Sequence, residues 1–184
     1  TLMKKYLSIF FLLFNIDNVN ASNKENIITN LKNINNLSFN FEQNINGKSE
    51  KGNCIIEYPK KIFCEYKLEN KKILVSNGKY LVIKTRQSHY IYPLKKTILN
   101  IILDKNFLLT KIKKAKEHEI NNEIISLKFL ENEQEINLFF DKKNYDLIGW
   151  QSLDIYQNLS ITSIISLSKN IFIKENIFKL PKQE

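Results

Sequence analysis

The chain has 184 residues, 43% of them hydrophobic, which is enough for one domain with its own core and too few for two. Lys and Arg total 28 against 19 Asp and Glu, a formal net charge of +9. Every basic residue except Arg86 is a lysine, and the lysines are scattered beside Asn and Ile rather than clustered, which argues against a dedicated nucleic-acid site.

The N-terminal segment reads as a secretory signal peptide over residues 1–21. Met3-Lys4-Lys5 supplies the basic end, Tyr6 to Phe14 an apolar core interrupted only by Ser8, and Val19 and Ala21 the small side chains before a cleavage point. That core is much shorter than the roughly 20 apolar residues a membrane-spanning helix needs. The expected location is therefore the periplasm, and residues 22–184 are expected to form one domain. The first cysteine is Cys54, far from the expected cleavage point, so the protein is not expected to be lipid-anchored itself.

Beyond Ala21, apolar residues at Ile27, Ile28, Leu31 and Ile34 follow helical spacing and predict a helix from about Lys24 to Asn35. At Leu37 the period changes to two. Leu37, Phe39 and Phe41 fall on one face, and Ser38, Asn40 and Glu42 on the other, as in a half-buried strand. Turn residues then recur at Asn46-Gly47, Tyr58-Pro59-Lys60, Asn70-Lys71, Asn77-Gly78 and Arg86-Gln87-Ser88, between short apolar runs. This is the pattern of an antiparallel meander.

After Pro93 the alternation stops. Ile98, Leu99, Ile101, Ile102 and Leu103 read as a short helix that Thr97 can cap. Strands resume at Ile124 to Leu130, Glu135 to Phe140, Tyr145 to Leu153 and Leu159 to Leu167, with turns at Asn121-Asn122 and Asp141 to Asn144. The tail from Ile171 to Leu180 reads as a last strand or an extended arm.

Cys54 and Cys64 flank the Tyr58-Pro59-Lys60 turn. If residues 57 and 61 close that hairpin, the two cysteines face each other, with Cβ atoms roughly 4.5–5.5 Å apart against the 3.5–4.5 Å of a disulfide. In an oxidising compartment a bond is expected. The alternative is a pair of buried free thiols, and a register slip of one residue would separate them.

Catalytic signals are weak. His89 and His118 lie in polar surroundings without a recognisable nucleophile, and Glu117, Glu119 and Glu123 near His118 lack metal-ligand spacing. There is no Gly-rich phosphate loop. The reading is a non-enzyme with no cofactor and no metal.

Several segments in order resemble the LolA-type outer-membrane lipoprotein carriers. Phe39-Asn40-Phe41-Glu42-Gln43 looks like the family's first strand, and Gly52 to Pro59 resembles its second, which ends in a basic residue and proline. Leu74-Val75-Ser76-Asn77-Gly78-Lys79-Tyr80-Leu81 is close to the family's most specific hairpin. Tyr92-Pro93-Leu94, Phe140-Asp141, Leu147-Ile148-Gly149-Trp150 and Asp154 are similar to further family segments.

The resemblance implies a mainly β fold with some α: an open antiparallel half-barrel, LolA/LolB-like, covered by short helices that enclose an apolar cavity. It implies a monomeric carrier of acylated lipoproteins that receives them from an inner-membrane ABC transporter. It leaves an outer-membrane receptor of the LolB type as an open further partner. A related half-barrel that senses mislocalised lipoproteins or carries free lipids is the alternative function, and an enzyme acting on envelope lipids is a third.

In the family, the residue before the hairpin proline is commonly an arginine that faces inward and tethers the helical lid. Here it is Tyr58, which lacks the charge and forked geometry of arginine, so the tether is expected to be weaker or built from other groups. That orientation places Cys54, Ile56 and Tyr58 on the cavity face, and the hairpin register adds Ile62 and Cys64. Ile27, Leu31 and Ile34 from the first helix, Phe39 and Phe41 from the first strand, and Ile98 and Ile102 from the lid complete the candidate lipid-binding set. For each, ordinary core packing is the competing role.

Overall fold

Asparagine-rich turns set the hairpins of this chain. Asn46 and Gly47 adopt φ of 50° and 82°, and Asn132 and Glu133 adopt 48° and 65°. Each pair forms a two-residue loop of the primed kind, whose twist matches that of the strands it joins. The structure is a computed structural model that describes residues 21–154 and 156–183. The expected signal peptide, up to residue 20, lies outside the described residues.

Eleven strands form one antiparallel sheet. In chain order they are β1 (Asn36–Ile45), β2 (Lys48–Glu57), β3 (Lys61–Tyr66), β4 (Ile73–Asn77), β5 (Tyr80–Lys84), β6 (His89–Pro93), β7 (Lys116–Ile120), β8 (Ile124–Glu131), β9 (Gln134–Asp141), β10 (Leu147–Leu153) and β11 (Leu159–Lys169). The spatial order is β6-β5-β4-β3-β2-β1-β11-β10-β9-β8-β7. Two meanders are thus joined where the first strand pairs with the last, and β6 and β7 are left as the two edges. The fold is the expected mainly β, open antiparallel architecture with short helices.

Among the described residues are three α-helices: α1 (Asn23–Lys32), α2 (Leu99–Leu103) and α3 (Lys105–Lys114). In α1, Ser22 Oγ accepts from Glu25 N while Glu25 Oε2 accepts from Ser22 N at 2.7 Å, a reciprocal cap of two otherwise orphaned donors. Its buried face is Ile27, Ile28 and Leu31. The helix ends at Lys32, three residues before the expected end, so Ile34 is buried from the turn that follows.

Other expectations need correcting. Thr97 does not cap α2: its hydroxyl donates to Leu94 O at 2.8 Å, closing a 3-10 turn over Leu94–Lys96, and Ile98 takes the cap position without a side-chain bond. α3 and β7 were not expected. Asp104 caps α3 by accepting from Phe107 N, and Leu108 and Ile112 are the residues it buries. Of the two readings of the tail, the structure takes the arm and not the strand. The arm runs along the outer face, where Pro181 O meets His89 Nε2 at 3.0 Å and Lys61 lies over the Phe178 ring.

One core joins these parts. Ile27 and Leu31 of α1, Leu108 and Ile112 of α3, and Ile125, Leu127, Leu138 and Phe140 of β8 and β9 belong to one buried cluster with the inner face of β1 to β3.

Candidate ligand cavity

Alternation along the strands assembles the inner surface row by row. Phe39, Cys54, Cys64, Leu74 and Ile83 are successive cross-strand partners on β1 to β5. The next row runs Phe41, Gly52, Tyr66. Gly52 is required there, because a Cβ would meet Glu65 O at 2.2 Å and the Phe41 ring at 2.8 Å. With no side chain between them, the Phe41 and Tyr66 rings meet edge to face at 5.1 Å.

These rows line a cavity of about 470 Å³. β10 and β11 form its second wall through Trp150, Ser152, Ser160 and Thr162, and Ile98 and Leu99 approach from the helical side. Most of the surface is apolar. Lys72, Lys96, Asp154 and Gln157 add polar groups to the lining, and on the β10–β11 wall Gln43 Nε2 donates to Ser160 Oγ at 3.0 Å and to Thr162 Oγ1 at 3.2 Å. Tyr92 of edge strand β6 and Tyr156 of the β10–β11 connection both line the cavity. Desolvation, with the neighbouring Tyr156 hydroxyl, pushes the Tyr92 phenol up to about 12.

Phe39, Phe41, Ile62, Ile98, Cys54 and Cys64 line the cavity. Ile27, Leu31, Ile34, Ile56, Tyr58 and Ile102 do not. Ile27, Leu31, Ile34, Ile56 and Ile102 are buried in the packed core, and Tyr58 is packed against it. The concave face is shared between ligand space and helix packing, and both demand the same apolar residues. Gln43, Trp150, Ser152, Ser160 and Thr162 were missed. Ser160 and Thr162 alternate with Leu159 and Ile161, which reads as two polar positions facing solvent, whereas the sheet turns them inward.

The cysteines take the anticipated register. Cys54 pairs with Cys64, their Cα atoms are 4.1 Å apart and their sulfurs are joined.

The lid is not tethered by Tyr58. Its hydroxyl is buried without a hydrogen-bond partner among the described residues, and burial pushes the phenol above its ordinary range. Lys105 Nζ lies 5.5 Å from its ring centroid. The tether is two residues on. Lys60 N donates to Leu103 O at 2.8 Å, and Lys60 Nζ lies 3.0 Å from Asp104 Oδ2. Ser76, fully buried, donates to Lys60 O at 3.1 Å and so fixes the turn that carries the tether.

The family model described as "Outer membrane lipoprotein carrier protein LolA" matches residues 32–181. No curated protein sequence matches the chain. Among solved structures, MucB is similar with a TM-score of 0.51 and 11% identity; the match covers 88% of this chain and 62% of MucB. A LolA superfamily protein from Nitrosomonas europaea gives 0.45 and 8%, over 87% of this chain and 99% of that one. An outer-membrane lipoprotein-sorting protein domain from Vibrio parahaemolyticus gives 0.47 and 8%, over 83% and 94%. With the open sheet, its apolar cavity and a family match over most of its length, the chain belongs to the LolA family.

Proposed function

We propose that this protein is a periplasmic carrier that holds the acyl chains of lipoproteins in its cavity and moves them from the inner to the outer membrane. The observation that carries this reading is the apolar cavity of about 470 Å³ inside a LolA-family sheet. Exposing an acyl chain of about 16 carbons to water costs on the order of 12 kcal/mol, at roughly 0.8 kcal/mol per methylene. The Phe39, Phe41, Leu74, Leu81 and Trp150 surfaces offset that cost during transit.

No bond is made or broken in this role. An inner-membrane ABC transporter supplies the lipoprotein, and release depends on a better acceptor at the outer membrane, with or without a receptor there. The carrier works as a monomer. A second reading, a half-barrel that senses mislocalised lipoproteins or carries free lipids, uses the same apolar cavity.

Native mass spectrometry of the protein purified from the periplasm, alone and after co-expression with a model lipoprotein, separates binding of lipoproteins from carriage of free lipids. The carrier reading expects a one-to-one complex that vanishes when the lipoprotein's acylated cysteine is removed. Free lipids alone in the extract would replace it with the second reading.

A further inference from the structure

One wall of the cavity is built against the usual pattern. Along the first half of β11, Ser160 and Thr162 point inward and are buried, while Leu159 and Ile161 point outward at 45% and 38% exposure. The strand therefore turns hydroxyls toward an apolar cavity and leucine and isoleucine toward solvent. Register explains how these groups converge. Ile45, Ser160 and Ser152 are cross-strand partners, as are Gln43, Thr162 and Trp150 one row further along.

Their hydrogen bonding is incomplete. Ser160 and Thr162 both accept from Gln43 Nε2, which leaves each hydroxyl hydrogen without an acceptor among the described residues. Ser152 is 2% exposed, lines the cavity and has no hydrogen-bond partner among the described residues. A hydroxyl carries one donor and must find an acceptor when it is taken from water. Three such donors therefore face the ligand space together, beside Trp150, in a cavity that Phe39 and Leu74 also line.

We infer that this strip receives the carbonyl oxygens of ester-linked acyl chains, so that the cavity selects a diacylglyceryl group over plain hydrocarbon. The inference rests on the lipid-binding reading above and adds the chemistry of the linkage. Carbonyl oxygens accept but do not donate, which matches a wall of donors. The geometry orients the ligand: carbonyls against Ser152, Ser160 and Thr162, and chains running toward Phe39 and Leu74. An ether-linked lipid of the same length offers poorer acceptors and leaves the hydroxyls unsatisfied.

Trp150, the only tryptophan of the sequence, lies on this wall and reports binding by its own fluorescence. The test is titration of the protein with dioctanoylglycerol and with its dioctyl ether analogue, repeated on Thr162→Val/Ser160→Ala, with circular dichroism to verify folding. We expect the ester to bind the wild type about tenfold more tightly than the ether, and the variant to lose that preference while still binding the ether, as removal of two hydrogen bonds would produce. Equal affinities for the two lipids in the wild type, or an unchanged preference in the variant, would overturn the inference and leave the carrier reading standing. If neither lipid binds, both fall. Should the double variant fail to fold, Ser152→Ala is titrated in its place against the same two outcomes.

Discussion

Lys60 Nζ lies 3.0 Å from Asp104 Oδ2, joining the β2–β3 turn to the residue that caps α3. The turn is held in place by Ser76 and by the Lys60 N to Leu103 O bond, so this contact ties the helical lid to the sheet at the point where Tyr58 does not. Both side chains are partly exposed, so the ion pair is worth at most about 1 kcal/mol. Lys60→Met removes the charge and keeps the backbone bond. It should leave equilibrium stability within about 1 kcal/mol and raise the release rate of a bound lipid a few-fold, up to about fivefold. Stopped-flow release of a fluorescent lipid checks this, and an unchanged rate would remove Lys60 from the lid.

Tyr58 should behave in the opposite sense to a tether. A buried hydroxyl without a partner costs about 1–3 kcal/mol, so Tyr58→Phe should stabilise the protein at pH 7 by about 1 kcal/mol. The native phenol is pushed above its ordinary value of 10.0 while the unfolded one is not. Between those values the unfolded state has lost a proton that the native state keeps, so this contribution is intact below pH 10 and is lost as pH rises beyond it. Urea unfolding from pH 7 to 11 should show a shallower alkaline decline in Tyr58→Phe. A variant less stable at pH 7 would show that the hydroxyl has a partner after all.

The cross-strand cysteines make a redox prediction. A thiol assay on the unreduced, denatured protein should find no free thiol, and Cys54→Ser/Cys64→Ser should lose roughly 3 kcal/mol, the entropic cost of an open short loop. For a chain of this size that corresponds to a fall in Tm of about 6–12 °C. Two titratable thiols in the wild type would contradict the pairing.

Gly52 is the tightest point of the inner wall. A methyl group there meets the Glu65 carbonyl, which is backbone and cannot step aside, as well as the Phe41 ring. Gly52→Ala should cost about 1–3 kcal/mol through overpacking and should weaken lipid binding by displacing Phe41 into the cavity. Thermal unfolding with and without lipid measures both, and an Ala variant of wild-type stability would show that β2 and β3 can separate locally.

These features were unequally legible in the sequence. Asn46-Gly47 and Asn77-Gly78 announced their hairpins because few residues adopt the backbone those turns need. The Cys54–Cys64 pairing followed from a single assumption about the turn, since opposed positions in a hairpin have a constant sum. β7 was silent: Lys116 to Glu119 offer no apolar alternation, because an edge strand exposed along most of its length needs none. α3 was hidden among lysines, with only Leu108 and Ile112 fully buried.

The cavity itself was half legible. Alternation placed Phe39 and Phe41 on one face, and the hairpin register with the family orientation placed Ile62 inward, but nothing in an apolar position says whether a helix or a ligand covers it. Ile27, Leu31, Ile34, Ile56 and Ile102 serve packing for that reason. Ser152, Ser160 and Thr162 escaped because a search for greasy surface discards hydroxyls, and their register with Ile45 and Gln43 of β1 is what turns them toward the cavity.

The central claim is that acyl chains of lipoproteins occupy the space between Phe39 and Trp150. Quenching of Trp150 fluorescence by a diacylated lipopeptide carrying bromine on its acyl chains tests it most directly, because bromine quenches only at near contact. Strong, saturable quenching is expected, which an unbrominated diacylated lipopeptide relieves by competition and the deacylated peptide does not. Binding of the lipopeptide without quenching, or equal binding of the deacylated peptide, would contradict it.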